Sequence, residues 1–396
     1  MPELPDELVE EVFLRLPPDE PAALVRASLA SKPWLGVLTG PAFRGRYREF
    51  HGAPPMLGFL YSLPRSHPLI RDYRHREDPA QRFVSTAKFG APIPDFTSTA
   101  LLNDLVVWDC RHGRVLVGDA RRCPRALVVW DPMTGCTREL DGPDDYIATD
   151  SFEMAVLCAV SGCDHRTCHA GPFKMVFVGV ERSEEGECFA RAFVSSPDMG
   201  DWSKPSKLHL EEWKEPCPDL DLAADAFICA KPAVLLHDAL HFILGYYDDN
   251  DRVGILKYNL TSDSLSFIDV PFAAHADILM AMKDGSLGLA HVDSRLTLYV
   301  WSRQIDSNGV ASWTHGRVVD LKNLIPNKNP KRRPRPIGSV EGRDIIFVNT
   351  DLGVYEIGLK TLKWKERMKG ENFYSLFPYM SFYNPPERVN PGDAAR

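Results

Sequence analysis

The chain has 396 residues, more than one ordinary domain of about 100 to 200 residues contains. Apolar residues make up 44% and charged residues 25%, which are the proportions of a folded globular protein with a sizeable core. With 46 basic and 54 acidic residues the formal net charge is −8, so nucleic acid is not an expected partner. No run of about 18 apolar residues is present, and a membrane is therefore not expected as a partner either.

The N-terminus and the cysteines predict a reducing location inside the cell. The first residues are acidic, whereas a signal peptide begins basic and then becomes apolar. The nine cysteines are an odd number without a paired framework. We therefore expect the protein in the cytoplasm, the nucleus or both. The segment Lys328 to Arg335 carries five positive charges, which indicates a nuclear import signal, a contact with an acidic partner or, more simply, a solvated loop.

Residues 1–50, called the helical head below, have the pattern of short amphipathic helices. Leu8, Val12 and Leu16 recur every four residues with acidic residues on the other faces, and Pro17-Pro18 ends this first helix. Further helices are predicted at Pro21 to Ala30, from Pro33 onward, and at Pro41 to Phe50. So small a unit buries little surface alone. It is therefore either a partner-binding module or a cap packed on a larger domain.

The string LPDELVEEVFLRLPPDEPAALVRASLASKPWLGVLTGPAF resembles an F-box, most specifically in Leu4-Pro5 and in Lys32 with Trp34. The resemblance implies that the head binds the Skp-type adaptor of a cullin–RING ubiquitin ligase. The adaptor-binding residues that it implies are Leu4, Pro5, Leu8, Val9, Val12, Leu16, Leu24, Lys32 and Trp34. Two departures are Ser31, where cysteine is common, and Pro33. This proline could bend the third helix and weaken adaptor binding, or be accepted as a first helical residue.

After the head, residues 51–82 read as a proline-rich and partly basic connector, in which Met56 to Tyr61 is predicted as an edge strand of the next domain. From about residue 83 a strand–turn–strand unit then recurs about every 50 residues, which is typical of a kelch-like β-propeller. The copies are Leu127 to Gly135, Ala192 to Gly200, Leu256 to Asp263, Leu298 to Ser302 and Val354 to Thr361. A parallel α/β fold is disfavoured because no amphipathic helix separates these strands.

The predicted fold class is therefore a small helical domain followed by an all-β propeller. Five copies and a closing blade give six blades, with five or seven as alternatives, and Met56 to Tyr61 with Tyr379 to Tyr383 would close the ring. Segments 109–115, 129–135 and 377–383 resemble the F-box-associated propeller of grass F-box proteins. The expected division is residues 1–50 for the helical domain, 51–82 for the connector, 83–385 for the propeller and 386–396 for a flexible tail.

Catalytic motifs are absent from the sequence. It contains no nucleophile elbow, phosphate loop or dinucleotide fingerprint, so we expect a non-catalytic protein without a cofactor. The densest group of reactive side chains is the segment CAVSGCDHRTCH, where Cys163, His165, Cys168 and His169 are weak metal-ligand candidates. Structural zinc ligands usually come as two separated couples. Since no second couple follows, the spacing predicts no metal.

The resemblance implies the substrate-recognition subunit of a Skp–cullin–F-box ubiquitin ligase, with the propeller holding a target protein. The alternative is a propeller adaptor or scaffold with a weakened F-box. A propeller enzyme or sugar binder would instead require convergent polar and aromatic groups in the central mouth. Trp202 and Trp213, in an irregular acidic stretch, are the candidate target-binding residues, unless both tryptophans pack beneath their own loop.

Overall fold

The computed structural model describes most of the helical head and of the repeat domain. The described residues are 5–62, 83–86, 105–119, 127–143, 149–183, 185, 187–197, 200–210, 226–246, 253–270, 277–329, 331–370 and 373–383. Among these residues, no helix combines the length and the apolar character that crossing a membrane requires.

Four helices build the helical head, and a short fifth helix lies in the repeat domain. They are α1 (Asp6–Leu14), α2 (Pro21–Ala30), α3 (Lys32–Thr39), α4 (Pro41–His51) and α5 (Leu321–Leu324). Proline is the first residue of α2 and of α4, where its missing N–H has no partner within the helix in any case. The predicted helices are therefore present, and the fourth extends one residue past the predicted end.

Strands joined by turns and loops make up most of the rest of the described chain. They are β1 (Met56–Ser62), β2 (Val84–Ser85), β3 (Leu105–Arg111), β4 (Arg114–Asp119), β5 (Leu127–Trp130), β6 (Thr137–Leu140), β7 (Thr149–Cys158), β8 (Phe173–Arg182), β9 (Cys188–Ser195), β10 (Ser206–His209), β11 (Ala226–Ile228), β12 (Val234–Leu236), β13 (Ala239–Tyr246), β14 (Val253–Asn259), β15 (Ser264–Asp269), β16 (Ile278–Ala281), β17 (Leu287–Val292), β18 (Thr297–Ile305), β19 (Ala311–Asp320), β20 (Arg335–Ser339), β21 (Ile345–Asn349), β22 (Gly353–Gly358), β23 (Trp364–Lys369) and β24 (Ser375–Met380).

These strands form six antiparallel sheets, which are the six blades of a β-propeller. Blade 1 contains β3–β6, blade 2 β7–β10, blade 3 β11–β15, blade 4 β16–β19, blade 5 β20–β23, and blade 6 β24, β1 and β2. Blade 3 has a divided inner strand, because β11 and β12 both pair with β13. The five predicted copies coincide with the third strands of blades 1 to 5, so the prediction of a six-bladed propeller is confirmed.

The apolar core is divided into layers between neighbouring blades. Successive side chains of a strand point to opposite faces, so Val115 and Val117 face blade 6 whereas Leu116 faces blade 2. The same alternation produces one apolar cluster at each of the six blade junctions. Both faces of the inner strands are thus buried. For this reason they read as continuous apolar runs in the sequence.

Blade 6 closes the ring with strands from both ends of the repeat domain. β24 is its inner strand, next to β3 and β20, and it pairs with β1 from Met56↔Met380 to Ser62↔Ser375. The observed partner of β1, Ser375–Met380, thus begins and ends a few residues before the predicted segment, Tyr379 to Tyr383. The predicted edge position of β1 is wrong, because β2 pairs with its other side at Gly58↔Ser85. Phe59 and Leu60 are buried on opposite faces of β1, which fits its position between β2 and β24.

The helical head packs on the ring through the residue that follows the closing strand pair. Phe382 is 2% exposed and belongs to the apolar cluster of the helical head. Its ring meets that of Tyr47 edge-on, at 6.2 Å between centroids and 75° between planes. Arg343 of blade 5 adds a 2.7 Å hydrogen bond to the carbonyl oxygen of Pro54. On this side the helical head is therefore a cap packed on the larger domain, as one of the two predicted alternatives has it.

We predict that Phe382→Ala lowers the free energy of unfolding by about 3 to 5 kcal/mol, because it empties a buried aromatic site. Phe50→Ala is the matched control, since this head aromatic is 58% exposed and its truncation should change stability by less than about 0.5 kcal/mol. Denaturant unfolding measures both variants. Equal effects of the two substitutions would contradict the packing of the head on the ring.

Candidate functional site

Helix α1 divides its apolar residues between two faces. Val9, Phe13 and Leu14 point into the cluster of the helical head and are at most 5% exposed. Leu8 and Val12, one turn apart on another face, are 53% and 58% exposed. Residues four apart on a helix are neighbours, so the two side chains form one continuous apolar ridge. Nothing within the described part of the chain buries this ridge, and we call it the α1 ridge.

Other predicted adaptor-binding residues lie at the surface of the head with different degrees of exposure. Pro5 and Lys32 are exposed, whereas Leu16 and Trp34 are half-buried. The Trp34 ring meets the Phe13 ring edge-on at 5.4 Å, so only part of the indole is available to a partner. Sequence patterning missed Leu29, which is 72% exposed at the end of α2. Its only sequence signal was its position, as an apolar residue near the end of the predicted helix Pro21 to Ala30.

Two of the predicted contact residues are in the core of the helical head. Val9 is 5% exposed and Leu24 is 2% exposed, and both pack in the cluster that includes Phe382. They therefore support the fold of the head and present no surface to a partner. The error has a simple cause, because helical periodicity identifies an apolar face without showing which neighbour covers it. Leu4 lies outside the described residues.

Pro33 does not bend the third helix. It is the second residue of α3, and Ser31 is the N-cap residue whose Oγ accepts a 3.3 Å hydrogen bond from the Trp34 N–H. A proline in the first helical turn breaks no intrahelical hydrogen bond. Of the two alternatives for Pro33, the structure has the one in which proline is accepted in the first turn of the helix.

Ion pairs flank the α1 ridge and join α1 to α4. Arg46 contacts Glu10 and Glu11 at 2.8 Å each, and Arg15 contacts Glu11 at 2.8 Å. Hydrogen bonds from Arg15 and Arg46 lower the pKa of Glu11 below its ordinary value. Because these groups are largely exposed, solvent screens their attraction. Their main contribution is to give the ridge a charged border that favours one binding orientation.

The mouth of the ring, on the side of the helical head, contains a cavity of about 190 Å³. It is lined by two buried charged groups, Asp109 and Arg111. Arg111 contacts Asp109 at 3.4 Å and Glu341 at 2.8 Å and donates to the Ala233 carbonyl oxygen at 2.8 Å. Burial raises the pKa of Asp109 to about 6, although Arg111 and two backbone N–H groups act in the opposite direction. The contacts of Arg111 therefore join blade 1 to a carboxylate of blade 5 and to a backbone carbonyl of blade 3.

A half-buried cation, Lys231, lies between blade 3 and the closing blade. Lys231, between β11 and β12, donates to the Tyr374 carbonyl oxygen at 2.8 Å. Its Nζ also lies 4.0 Å from the centroid of the Tyr374 ring, a favourable cation–π distance. Burial lowers the pKa of Lys231 to about 8, while the charge of Asp277 partly opposes this shift.

The candidate target-binding residue Trp202 is a packing residue. Its indole is half-buried against the cluster between blades 1 and 2, and its Nε1–H donates to the Asp141 carbonyl oxygen at 2.9 Å. Both parts of the side chain are thus used within the ring, so the structure does not support Trp202 as a free anchor. Trp213 lies outside the described residues.

The basic segment Lys328 to Arg335 is attached to the ring. The backbone N–H groups of Lys328 and Asn329 donate to the Asp351 carboxylate at 3.0 and 2.7 Å, and Arg333 contacts Asp277 at 3.5 Å.

The cysteine–histidine segment brings together a different set of residues from the predicted one. Cys158, Cys163, His165 and Cys168 place one ligand atom each within 4.8 Å of one another. His169 points away, because its Nδ1 contacts the Asp131 carboxylate at 2.9 Å. The expectation from spacing that no metal binds stays a prediction. Cys158, the first residue of the segment CAVSGCDHRTCH, ends β7 and is brought to the other three residues by the following loop.

Comparisons with known proteins agree with this architecture. Residues 1–44 match the family model of the F-box domain. The curated F-box protein At5g03970 of Arabidopsis thaliana is 29% identical over 137 residues, which are 34% of this chain and 31% of that protein. The aligned segment thus spans less than a third of that relative.

Two solved structures have a distant geometric similarity to the chain. One comes from a structural and mechanistic analysis of two prolyl endopeptidases, with 12% identity, a TM-score of 0.35, and coverage of 93% of this chain and 53% of that chain. The other is the extracellular domain of BT4673 from B. thetaiotaomicron, with 13% identity, a TM-score of 0.30, and coverage of 67% and 28% respectively.

An N-terminal F-box and a six-bladed β-propeller define the class of this protein. Its N-terminal residues match the F-box domain, and part of the chain is similar to a plant F-box protein. F-box domains typically bind Skp-type adaptors, and proteins that carry them are generally non-catalytic.

We predict that Lys231→Met raises stability relative to the native chain most strongly below pH 8. In the unfolded chain Lys231 binds its proton up to its ordinary pKa of 10.5, but in the folded chain only up to about 8. As the pH rises from 8 to 10.5, the free energy of unfolding of the native chain should therefore increase by up to about 3 kcal/mol relative to that of the variant. Urea unfolding at several pH values measures the difference, and a difference that does not change with pH would contradict the burial of this cation.

Proposed function

We propose that the chain is the substrate-recognition subunit of a Skp–cullin–F-box ubiquitin ligase. The observation that supports this most directly is the α1 ridge, where Leu8 and Val12 are more than half exposed. The ridge lies in a domain that matches the F-box family model. Exposed apolar side chains on a helix are costly in water and favourable in an interface. The Skp-type adaptor is the proposed occupant of this ridge.

The two sides of the helical head have different roles in this proposal. Phe382 and the Pro54 carbonyl fix one side to the ring, while the α1 ridge remains available to the adaptor. Because the head is packed on the ring, a target held by the propeller would keep one orientation relative to the ligase. The chain performs no chemistry. Its contribution is the raised effective concentration of target lysines near the ubiquitin-conjugating enzyme.

Target recognition is assigned to the propeller as part of the same proposal. The ring is a rigid scaffold with apolar clusters at all six blade junctions, and it carries loops on both faces. Loops on a rigid scaffold are the usual carriers of recognition. The proposed location is the cytoplasm, the nucleus or both.

The alternative function, a scaffold with a weakened F-box, depended on a bend at Pro33. Since Pro33 lies in the first turn of α3 without bending it, we favour the ligase subunit. The scaffold alternative is retained as an outcome of the binding experiment below.

We predict that Leu8→Ala combined with Val12→Ala weakens binding of a purified Skp-type adaptor by at least about tenfold. Each truncation of an interface anchor costs about 1 to 2 kcal/mol, and 1.4 kcal/mol corresponds to a factor of ten. Calorimetric titration of the full chain measures the affinity. Thermal melting should change little, because both side chains are exposed in the free protein.

The matched control is Ile305→Ala combined with Val310→Ala. These residues are 66% and 61% exposed at the β18–β19 turn of blade 4, so the control removes a similar apolar area far from the helical head. Adaptor affinity should remain at the native value. Equal losses in both double variants would exclude the α1 ridge as the binding surface. Failure of the native chain to bind any Skp-type adaptor would support the scaffold alternative instead.

A further inference from the structure

We propose that Cys158, Cys163, His165 and Cys168 form a structural zinc site that fixes the loop between β7 and β8. The four ligand atoms lie within 4.8 Å of one another. Three thiolates and one imidazole are an established donor set for structural zinc, whose sites are closed and tetrahedral.

The spacing of the donors fits a tetrahedron around zinc. Bonds of about 2.3 Å to sulfur and 2.0 to 2.1 Å to nitrogen give a sulfur–nitrogen edge of about 3.6 Å and sulfur–sulfur edges of about 3.8 Å. Cys168 Sγ and His165 Nδ1 are 3.6 Å apart. The remaining distances are within 4.8 Å, so contractions of at most about 1.2 Å bring them to the edges of the tetrahedron.

The loop between the two strands is built around these residues. Cys158 ends β7, and Cys168 begins a short 3-10 helix, Cys168–Ala170, just before β8. Between them the chain turns through His165, whose φ of 57° is in the left-handed region that is uncommon for residues other than glycine. The resulting sequence spacing is Cys-x4-Cys-x-His-x2-Cys. All three cysteines are free thiols in this arrangement.

Each of the three sulfur atoms accepts a hydrogen bond. The Val160 N–H donates to Cys158 Sγ and the His165 N–H donates to Cys163 Sγ, at 3.4 Å in both cases. The Arg114 guanidinium donates to Cys168 Sγ at 3.9 Å. Donors directed at sulfur stabilise thiolate and orient metal ligands.

The charge of Arg114 gives an independent reason for an anionic centre. This side chain is among the most buried in the protein, and its residue is 1% exposed. Its other hydrogen bonds go to the carbonyl oxygens of Cys168 and Gly171, and no carboxylate among the described residues forms an ion pair with it. A buried cation without a counter-charge is costly. Zinc with three thiolates and one neutral imidazole has a net charge of −1, which balances the guanidinium.

A second histidine holds the His165 ring in position. The rings of His112 and His165 stack at 3.7 Å between centroids and 10° between planes. His112 Nδ1 accepts a 3.2 Å hydrogen bond from the Cys158 N–H, so the stacked pair is attached to the end of β7. The β3–β4 turn that carries His112 therefore supports the proposed ligand set from blade 1.

The position of the loop indicates what the zinc would stabilise. His165 lines the mouth cavity of the ring, and Asp164 is close enough to Arg48 of α4 for their charges to interact. The loop thus lies where blade 1, blade 2 and the helical head meet. A zinc ion there would fix the packing of the head on the ring, which no single ligand residue could do alone.

The test measures zinc in the purified full chain by plasma mass spectrometry, after expression in zinc-supplemented medium. We expect one zinc per chain, and a loss of nearly all of it in Cys163→Ser and in Cys168→Ser. Two matched controls should keep the metal. Cys136→Ser changes an exposed free cysteine of blade 1, and His169→Gln changes the loop histidine that contacts Asp131.

A second measurement covers variants that fail to fold. Zinc is removed from the native chain with a chelator and replaced by cobalt, which should produce a thiolate-to-cobalt charge-transfer absorption. Removal should lower the melting temperature, and added zinc should restore it. The proposal is overturned by a native chain with under about one-tenth of a zinc per molecule, by a disulfide among the three cysteines, or by zinc that persists in both serine variants.

Discussion

Ring closure by β1 and β24 is the interaction on which the rest of the structure depends. The six apolar layers lie between blades, so each blade is covered on both faces only when blades 6 and 1 are adjacent. β24 supplies the inner strand and β1 the next one, paired from Met56↔Met380 to Ser62↔Ser375. Residues more than 300 positions apart must therefore meet before the last two junctions can form. The closing pair is the main long-range constraint of the fold.

The same closure determines where the helical head lies. β1 follows the head after a connector of four residues, and Phe382 follows β24 after one residue. The start of β1 and the end of β24 are paired and lie at the same end of blade 6. Both therefore direct the chain to one face of the ring, where Phe382 enters the apolar cluster of the head. This arrangement leaves Leu8 and Val12 on the opposite side of α1, exposed. The proposed adaptor surface is thus a consequence of how the ring closes.

Buried charges near the mouth of the ring are satisfied by contacts between blades. Arg111 of blade 1 pairs with Glu341 of blade 5 and donates to Ala233 of blade 3. The proposed zinc site would satisfy Arg114 in the same way, with an anionic centre in blade 2 beside a cation of blade 1. Polar groups that a local pattern marks as reactive therefore contribute to contacts between blades, which accounts for their burial.

Local sequence patterns determined the element types and the repeat, because helical and strand periodicities extend over only a few residues. They favoured six blades, and the tertiary structure decided that number against five or seven. The tertiary structure decided which apolar residues face a neighbour: Val9 and Leu24 are buried, whereas Leu8 and Val12 are exposed. It also decided that Cys158 joins the cysteine–histidine cluster and that His169 leaves it for Asp131. These outcomes depend on contacts between elements distant in the chain, which periodicity and spacing do not encode.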